Sequence, residues 1–534
     1  MAKSESPFAK FVSRIERFPI LLVLTWMVLY LPRPFELGFY LDDWWALLEP
    51  QHATAPFSLD RLHYFVGFTT SYGPRPLMGF IAFLVTSIAG PSPAATQFIS
   101  TLLVLGAALS LRAWLNRIMS VFPRYRNVTG DFAVIFWLAV PWMLGETAWP
   151  DVVHNLPAQI LFTETARLLL VRKRLTAGLA TLVSAGIVAS GLIYEAFYFA
   201  IFPVIAFNAA FGRGAAKSRR EIASLFGICC LAQGIAVGFN RYAAYSHASV
   251  TKTFDSRWPL QFAGNILALP RTLIASFSEY PVLVLTSAAL LIVCAGFLWT
   301  SGRRLESERL YCSYLAGLMA AAVAIFLIST IVYSAAGYGF GSLGMESRTL
   351  YPGSFAFTMA FFALLSCTFL SGARFAKTVL LAAAAALVLL LVVAQRHRMQ
   401  EWAFAWREEL RILKSAPLDA IQRLPSQAAI FYVGPSSYHG VVIFGEEWDL
   451  TAAVAAQSPL NRNRRPYQNM HSIYPAGDRR TWVWDGVTLF KSKPGVPQQT
   501  FPVQQLYLWR QGVGNLQPME RGFRWPPAET QSQN

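Results

Sequence analysis

Apolar residues fall in long blocks along this chain, and polar residues collect between the blocks. After a polar stretch carrying Lys3, Lys10, Arg14 and Arg17, an apolar run extends from Phe18 to about Leu31. Further runs lie near 94–115, 131–145, 155–171, 176–193, 196–211, 222–240, 280–299, 310–333, 351–370 and 378–395. A membrane-crossing helix needs about 20 apolar residues, within a range of roughly 17–25. The length rule therefore predicts about eleven transmembrane helices. The first run has no small-residue cleavage site after it and reads as a retained span, not a signal peptide. One further run, Leu77–Ala89, is shorter and reads as a helix lying in the interface.

From Arg396 onward the pattern changes. Residues 396–534 are polar, rich in Pro, Gln and Arg, and contain no span. Gln395–Leu413 reads as a helix leaving the membrane. Ala429–Val433, Val441–Phe444, Thr481–Trp484 and Leu506–Trp509 read as short β runs. The expected layout is thus an N-terminal tail over 1–17, a helical membrane domain over 18–395 with its first outer loop at about 38–93, and a small α/β domain over 396–534 with a loose tail after Pro526.

Composition agrees with a polytopic membrane protein. Charged residues are 14% of the 534, hydrophobic residues 54%, and the mean hydropathy is +0.40. A soluble globular chain carries about 25% charged residues. These values exclude a soluble enzyme, a disordered chain and a fibrous protein. The net charge of +16 then concerns orientation, not nucleic acid. Basic clusters at Arg112, Arg117, Arg124 and Arg126, at Arg167 and 172–174, at Arg213, Lys217, Arg219 and Arg220, at Arg303, Arg304 and Arg309, and at Arg374 and Lys377 all fall on one side if Leu77–Ala89 does not cross. The loops at 145–154 and 194–196 carry no Lys or Arg and fall on the other. The positive-inside rule then predicts a cytoplasmic N-terminus and an extracytoplasmic C-terminal domain, in a plasma (inner) membrane. The five cysteines lie in apolar runs without CxxC spacing, so no disulfide framework or zinc site is expected.

The chemistry collects on the outer side. Tyr40-Leu41-Asp42-Asp43-Trp44-Trp45 places two adjacent carboxylates directly after the first span. A Gly73-Pro74-Arg75-Pro76-Leu77 step leads into the interfacial helix, and Gly90-Pro91-Ser92-Pro93 leads into the next span. Other outer positions are Gly145-Glu146-Thr147-Ala148-Trp149-Pro150-Asp151, then Tyr194-Glu195, then Glu346-Ser347-Arg348-Thr349-Leu350-Tyr351-Pro352. Taken alone, each has an ordinary explanation, because acids and tryptophans often flank spans. Together they bring Asp42, Asp43, Glu146, Asp151, Glu195, Arg75 and Arg348 to one face. Charge near a bilayer is expensive and is usually retained for function. Carboxylates can take a proton from a hydroxyl or hold a divalent cation such as Mg or Mn, and Asp43 and Asp151 are the pair that would hold one. Whether a metal is held is left open. Arginines clamp phosphate through their planar fork.

One span, an outer loop opening with an acidic pair, an Arg-Pro-Leu interfacial helix and a Gly-x-x-Pro step make a pattern that resembles the GT-C superfamily of polytopic glycosyltransferases. That group includes protein O-mannosyltransferases, lipid A aminoarabinose transferases and bacterial surface-polysaccharide enzymes. The layout agrees over roughly 18–395, and the motifs over 40–93 and more weakly over 141–155 and 346–352. The resemblance implies inverting transfer of a sugar from a polyprenyl-phosphate donor to a glycan, lipid or protein acceptor outside the membrane. It puts the first-loop acid on Asp42 or Asp43 and the second on Glu146 or Asp151. It gives donor-phosphate contacts to Arg75, Arg348 and Glu195. Many members have Lys-Glu where this chain has Tyr194-Glu195, a departure at a donor-phosphate contact.

Other readings remain. A transporter or flippase would show internal repeats, and none is visible. A polysaccharide ligase of the O-antigen type would share the substrates but give the acidic pair no role. Single loop histidines (His52, His63, His154) are more often solvated than catalytic. Glu164 pairs most simply with Arg167, and the Arg462, Arg464 and Arg465 patch reads as solvated.

Overall fold

A computed structural model describes residues 19–40, 43–44, 55–67, 74–119, 128–150, 155–171, 175–211, 219–246, 256–277, 280–341, 344–370, 373–425, 428–444, 447–457, 473–475, 482–484, 487–491, 500–511 and 515–520. Asp42, Asp151, His52, His154 and Arg462–Arg465 lie outside these residues. Glu346 is placed by its backbone alone.

Six helices among the described residues are long and apolar enough to cross a membrane: Pro93–Ile118, Arg220–Ala243, Pro281–Arg303, Glu308–Ala335, Ser347–Phe369 and Arg374–Lys414. The chain is a helical, membrane-embedded protein. All six coincide with expected runs, and the other five expected runs form shorter or interrupted helices for local reasons. The run near 18–31 forms only α1 (Ile20–Tyr30), because Pro32 and Pro34 follow at once, with a short α2 (Arg33–Glu36) between. A third helix, α3 (Leu59–Val66), is capped by Ser58, whose Oγ accepts the Arg61 N–H. The run near 131–145 breaks at Val140-Pro141 into α6 (Val128–Ala139), a 3₁₀ turn (Pro141–Met143) and α7 (Leu144–Thr147). The run near 196–211 opens with a 3₁₀ turn, Glu195–Phe197, and Phe199 at φ +62°, leaving α10 only Ile201–Phe211. Apolar composition reaches the required length there, but regular helix does not.

The short apolar run forms α4 (Pro76–Ala89), 14 residues and so about 21 Å long, too short for a ~30 Å hydrocarbon core. It packs between α3, the long α5 (Pro93–Met119) and α9 (Ala177–Ile193). α8 (Leu156–Val171) lies against α5 and α9. α11 is Arg219–Ser246. An unforeseen helix, α12 (Trp258–Ser276), carries Pro270 in its interior. Its buried Asn265 donates to Ser334 Oγ at 3.0 Å and to the Tyr338 carbonyl at 3.0 Å. Polar residues made that segment look like loop, yet they serve as contacts to a neighbouring helix. α13 (Pro281–Arg303), α14 (Glu306–Ala335) and α15 (Tyr351–Ser366) complete the bundle. Two of the expected basic positions are paired: Arg112 with Asp131, and Arg167 Nε with Glu164 at 2.7 Å.

α16 (Arg374–Lys414) has 41 residues, about 62 Å and so roughly twice the hydrocarbon thickness. The predicted helix leaving the membrane is its continuation. The described C-terminal region follows, with α17 (Leu418–Gln422), α18 (Glu447–Gln457) and nine short strands. β1 (Ala429–Val433) lies parallel to β4 (Ile473–Pro475) on one side and to β8 (Leu506–Arg510) on the other, and β9 (Gln517–Pro518) pairs antiparallel to β8. All five residues of β1 are buried, as expected of a parallel strand covered on both faces. Ile430 and Tyr432 point into the core shared with α16, and Ala429, Phe431 and Val433 into a second core. β2 (Ser437–Tyr438) and β3 (Val441–Val442) form a tight hairpin. β5 (Trp482–Trp484), β6 (Thr488–Lys491) and β7 (Thr500–Pro502) form a small antiparallel sheet. One apolar core joins this region to the bundle. Leu37, Phe39, Tyr40, Trp44, Leu144 and Trp149 share it with Trp402 of α16 and with Ile430 and Val441.

Candidate functional site

Proline sets Arg75. The residue before a proline is pushed out of helical geometry, and Arg75, preceding Pro76, stands at φ −130° and ψ 64°. Its Nη2 reaches Glu195 Oε1 at 2.6 Å, and its guanidinium lies 5.7 Å from the Tyr194 ring centre. Glu195 is available because α9 stops at Ile193. Tyr194 is extended, and Glu195 opens the 3₁₀ turn. Two residues 120 apart in sequence are thus joined by the ends of two short helices.

Glu146 comes from α7, the one-turn helix after the Pro141 break. It is fully buried, and neither carboxylate oxygen meets a hydrogen-bond donor among the described residues. Burial pushes its pKa up to about 8, against the opposing influence of the Asn155 amide and of the Arg348 and Arg75 charges. The carboxyl is therefore mostly protonated at neutral pH and ionises just above it. Arg348 stands on the 3₁₀ segment Gly344–Leu350 that leads into α15, with its guanidinium 4.7 Å from the Trp149 ring and 5.9 Å from the Tyr338 ring. Such placements over aromatic faces stabilise a cation.

Tyrosines connect these groups. Tyr194 and Tyr333 share a hydroxyl–hydroxyl hydrogen bond, and Tyr333 Oη donates to the Arg348 carbonyl at 3.4 Å. Tyr351 Oη donates to Gln159 Oε1 at 2.6 Å. Around them, buried polar atoms have no hydrogen-bond partner among the described residues: Asn155 Oδ1, Gln159 Nε2, Trp149 Nε1 and Glu195 Oε2, besides Glu146. An unsatisfied buried polar atom costs about 1–3 kcal/mol. Five residues with such atoms stand close together here, so hydrogen-bonding capacity is concentrated around Glu146.

Asp43 has other neighbours. Its N–H donates to the Tyr40 carbonyl at 3.0 Å, and its Oδ2 accepts the Tyr40 N–H at 2.7 Å. The turn is closed from both ends, by the logic of a capping box. The next residue, Trp44, donates from Nε1 to Glu409 Oε2 at 2.8 Å and stacks on Trp406. Asp43 is fully buried and within electrostatic range of Glu409 on α16.

Of the seven site residues expected from sequence, Arg75, Glu146, Glu195 and Arg348 gather in one cluster. Asp43 stands among Tyr40, Trp44 and α16, and Asp42 and Asp151 lie outside the described residues. No three of His, Cys, Asp and Glu converge on a metal position among the described residues. Sequence reasoning missed Tyr333 and Gln159, which sit inside apolar runs like any other span residue. It also missed Arg33, buried at the start of α2, whose Nη1 donates to Thr147 Oγ1 at 2.9 Å and whose guanidinium lies 3.8 Å from the Tyr30 ring. An arginine between two prolines at the end of a span was the available signal. No family model matches the chain, and no curated protein matches it.

Proposed function

We propose that this chain is a glycosyltransferase of GT-C type. It would move a sugar from a polyprenyl-phosphate donor to a glycan, lipid or protein acceptor at the outer face of a plasma membrane, with inversion. The observation that carries the reading is the gathering of Arg75, Glu195, Glu146 and Arg348 from four distant segments. A buried acid with a pKa raised to about 8 stands there beside Arg348, at the start of a helix long enough to cross a membrane, and Arg75, at the start of the short α4.

In this reading the acceptor hydroxyl gives its proton to a carboxylate as its oxygen attacks the anomeric carbon. The bond from that carbon to the phosphate oxygen breaks, and polyprenyl phosphate leaves with the electron pair. Glu146 is the described acid best suited to take the proton. A catalytic group works best with a pKa near the operating pH, and among the described residues neither Glu146 oxygen has a hydrogen-bond partner of good geometry. Arg348 and Arg75 face the charge that grows on the leaving phosphate, so they act more strongly on the transition state than on the bound donor.

The test is transfer itself. Purified protein in proteoliposomes, given a polyprenyl-phosphate sugar and envelope extract, is expected to release polyprenyl phosphate and to glycosylate a component of the extract. Envelope glycans from cells lacking the protein should lose one sugar. Unchanged sugar composition together with no donor cleavage would overturn the reading.

A further inference from the structure

Glycines from three distant segments stack backbone on backbone between the C-terminal region and the Arg348 cluster. Gly440 is the tip of the β2–β3 hairpin, at φ +81°, beside His439 at φ +47°. Its carbonyl rests on Gly344, at φ +55°, so closely that a Cβ added at Gly344 would overlap it. Gly344 in turn faces Gly145. A Cβ added there would meet Ser347 Oγ, the Arg348 nitrogen at 2.7 Å and the Gly344 carbonyl at 2.8 Å. Ser347 Oγ ties the layers, donating to the Gly344 carbonyl at 2.8 Å and accepting the Gly145 N–H at 3.1 Å. The residues next to this stack are Glu146 on one side and Arg348 on the other.

The hairpin is itself anchored to α16. His439 Nδ1 lies 2.8 Å from Glu401 Oε1, and the same carboxylate receives Arg398 Nη1 at 2.6 Å. The Tyr438 ring packs 4.2 Å from Phe404 and 4.2 Å from the His439 ring. A rigid helix therefore holds the hairpin, the hairpin tip holds Gly344, and Gly344 with Ser347 holds the segments bearing Arg348 and Glu146. Glycine is required for close approach at Gly344 and Gly145 and for backbone sign at Gly440.

We propose that the hairpin tip Tyr438–Gly440 is a positioning element of the outer site, fixing Arg348 and Glu146 relative to one another. The expected consequence for turnover rests on the transferase reading; the contact itself does not. Gly440→Val forces a β-branched residue into a left-handed conformation it adopts poorly, whereas Gly440→Asn can adopt it.

In the full-length protein, Gly440→Val should lower transfer about tenfold or more at unchanged protein yield, and Gly440→Asn should recover most of it. A loosened Arg348 pulls less on the neighbouring carboxyl, so the pH of half-maximal turnover should move upward in Gly440→Val. A second readout needs no activity. Ser347 is buried, so Ser347→Cys should resist a membrane-impermeant thiol reagent, scored at that residue by mass spectrometry, and should become labelled when Gly440→Val is added. Labelling of Ser347→Cys alone, equal protection in both backgrounds, or a loss of turnover with an unmoved pH midpoint would each overturn the proposal. If the unaltered chain transfers no sugar, the transferase reading fails and the labelling result alone decides the positioning role.

Discussion

Glu146 and Asp43 are both fully buried acids on short segments between the long helices, yet their surroundings differ in kind. Asp43 gives an oxygen to the Tyr40 N–H and closes the turn that begins at Tyr40. Its neighbour Trp44 is bonded to Glu409 and stacked on Trp406. That is the local structure of an anchor, one that ties the segment after α2 to the long helix α16. Glu146 accepts no hydrogen bond among the described residues and titrates near neutrality, with Arg75 and Arg348 in electrostatic range. Two carboxyls of equal burial can therefore serve opposite ends. One has its hydrogen-bonding capacity used within the fold, and the other has no hydrogen-bond partner among the described residues.

The strongest way to break the contrast is Glu146→Gln. The amide keeps the volume and cannot accept a proton. Loss of a positioned base costs typically 10²–10⁴-fold, and transfer should fall by about that much with the protein still in the membrane. In the unaltered chain, turnover should rise with pH and level off above the value of about 8 given for this carboxyl. A turnover that falls above that pH would make Glu146 a proton donor and return the base to Asp42 or Asp151.

The same substitution has a stability signature of known sign. The Glu146 pKa is raised in the folded protein, to about 8 from 4.5. As pH rises, the unfolded chain loses this proton first. The group therefore lowers stability progressively from about pH 4.5 to about pH 8 and adds no further slope beyond. At about 1.4 kcal/mol per pH unit, several kcal/mol is the ceiling of the effect. Glu146→Gln should thus melt higher than the unaltered protein at pH 8 and at nearly the same temperature at pH 4.5, read by thermal unfolding in detergent. A more active but less stable native carboxyl is the trade expected at a reacting group.

Arg348→Lys comes next in size. Lysine keeps the charge and can still reach the interface, so an arginine that merely anchors its helix tolerates the change. A point ammonium does not reproduce the planar fork on phosphate or its stacking on Trp149. Turnover should fall roughly 10–100-fold with insertion unchanged. Wild-type turnover would make Arg348 an anchor and leave Arg75 as the phosphate contact. Arg75 is then tested through Glu195→Gln, which frees the guanidinium from its 2.6 Å partner. The donor KM should change by about tenfold or less, because the pair is about one-third exposed and such pairs are modest.

Much of this was legible in the sequence, and the pattern of what was not is instructive. The extension of α16 past the membrane followed from apolar residues giving way to amphipathic ones within one continuous helix. β1 was placed residue for residue, because a five-residue apolar run between polar stretches has few other uses. Arg75, Glu146, Glu195 and Arg348 were found because charge beside a span stands out against an apolar background. Tyr333 and Gln159 were not, since one polar atom in an apolar run looks the same whether it faces lipid or a carboxyl. The Gly440–Gly344–Gly145 stack was invisible as well. Each glycine reads as an ordinary turn, and their contact links residues with no periodic relation. Three expected spans are cut into pieces by proline and 3₁₀ turns, which hydropathy averaged over a window does not register.

The smallest expected effect is also the one that sharpens the contrast most. Asp43→Asn removes a charge but keeps a carbonyl oxygen where Oδ2 now accepts the Tyr40 N–H. If Asp43 is an anchor, the turn survives, Trp44 keeps its bond to Glu409, and transfer should drop by no more than about threefold. Replacing the charged acceptor by a neutral one weakens a single hydrogen bond, on the order of 1 kcal/mol, and that loss falls on stability before rate. Asp43→Ala is the control for the anchor itself. It leaves the Tyr40 N–H without its acceptor in a buried turn, so it should lower thermal stability more than Asp43→Asn does. The two variants should then rank in opposite ways to a catalytic role, which makes Asn and Ala equally inactive because neither can take a proton. Equal and near-complete loss in both, matching Glu146→Gln, would place the reacting acid in the first outer segment and reduce Glu146 to a neutral donor beside the arginines.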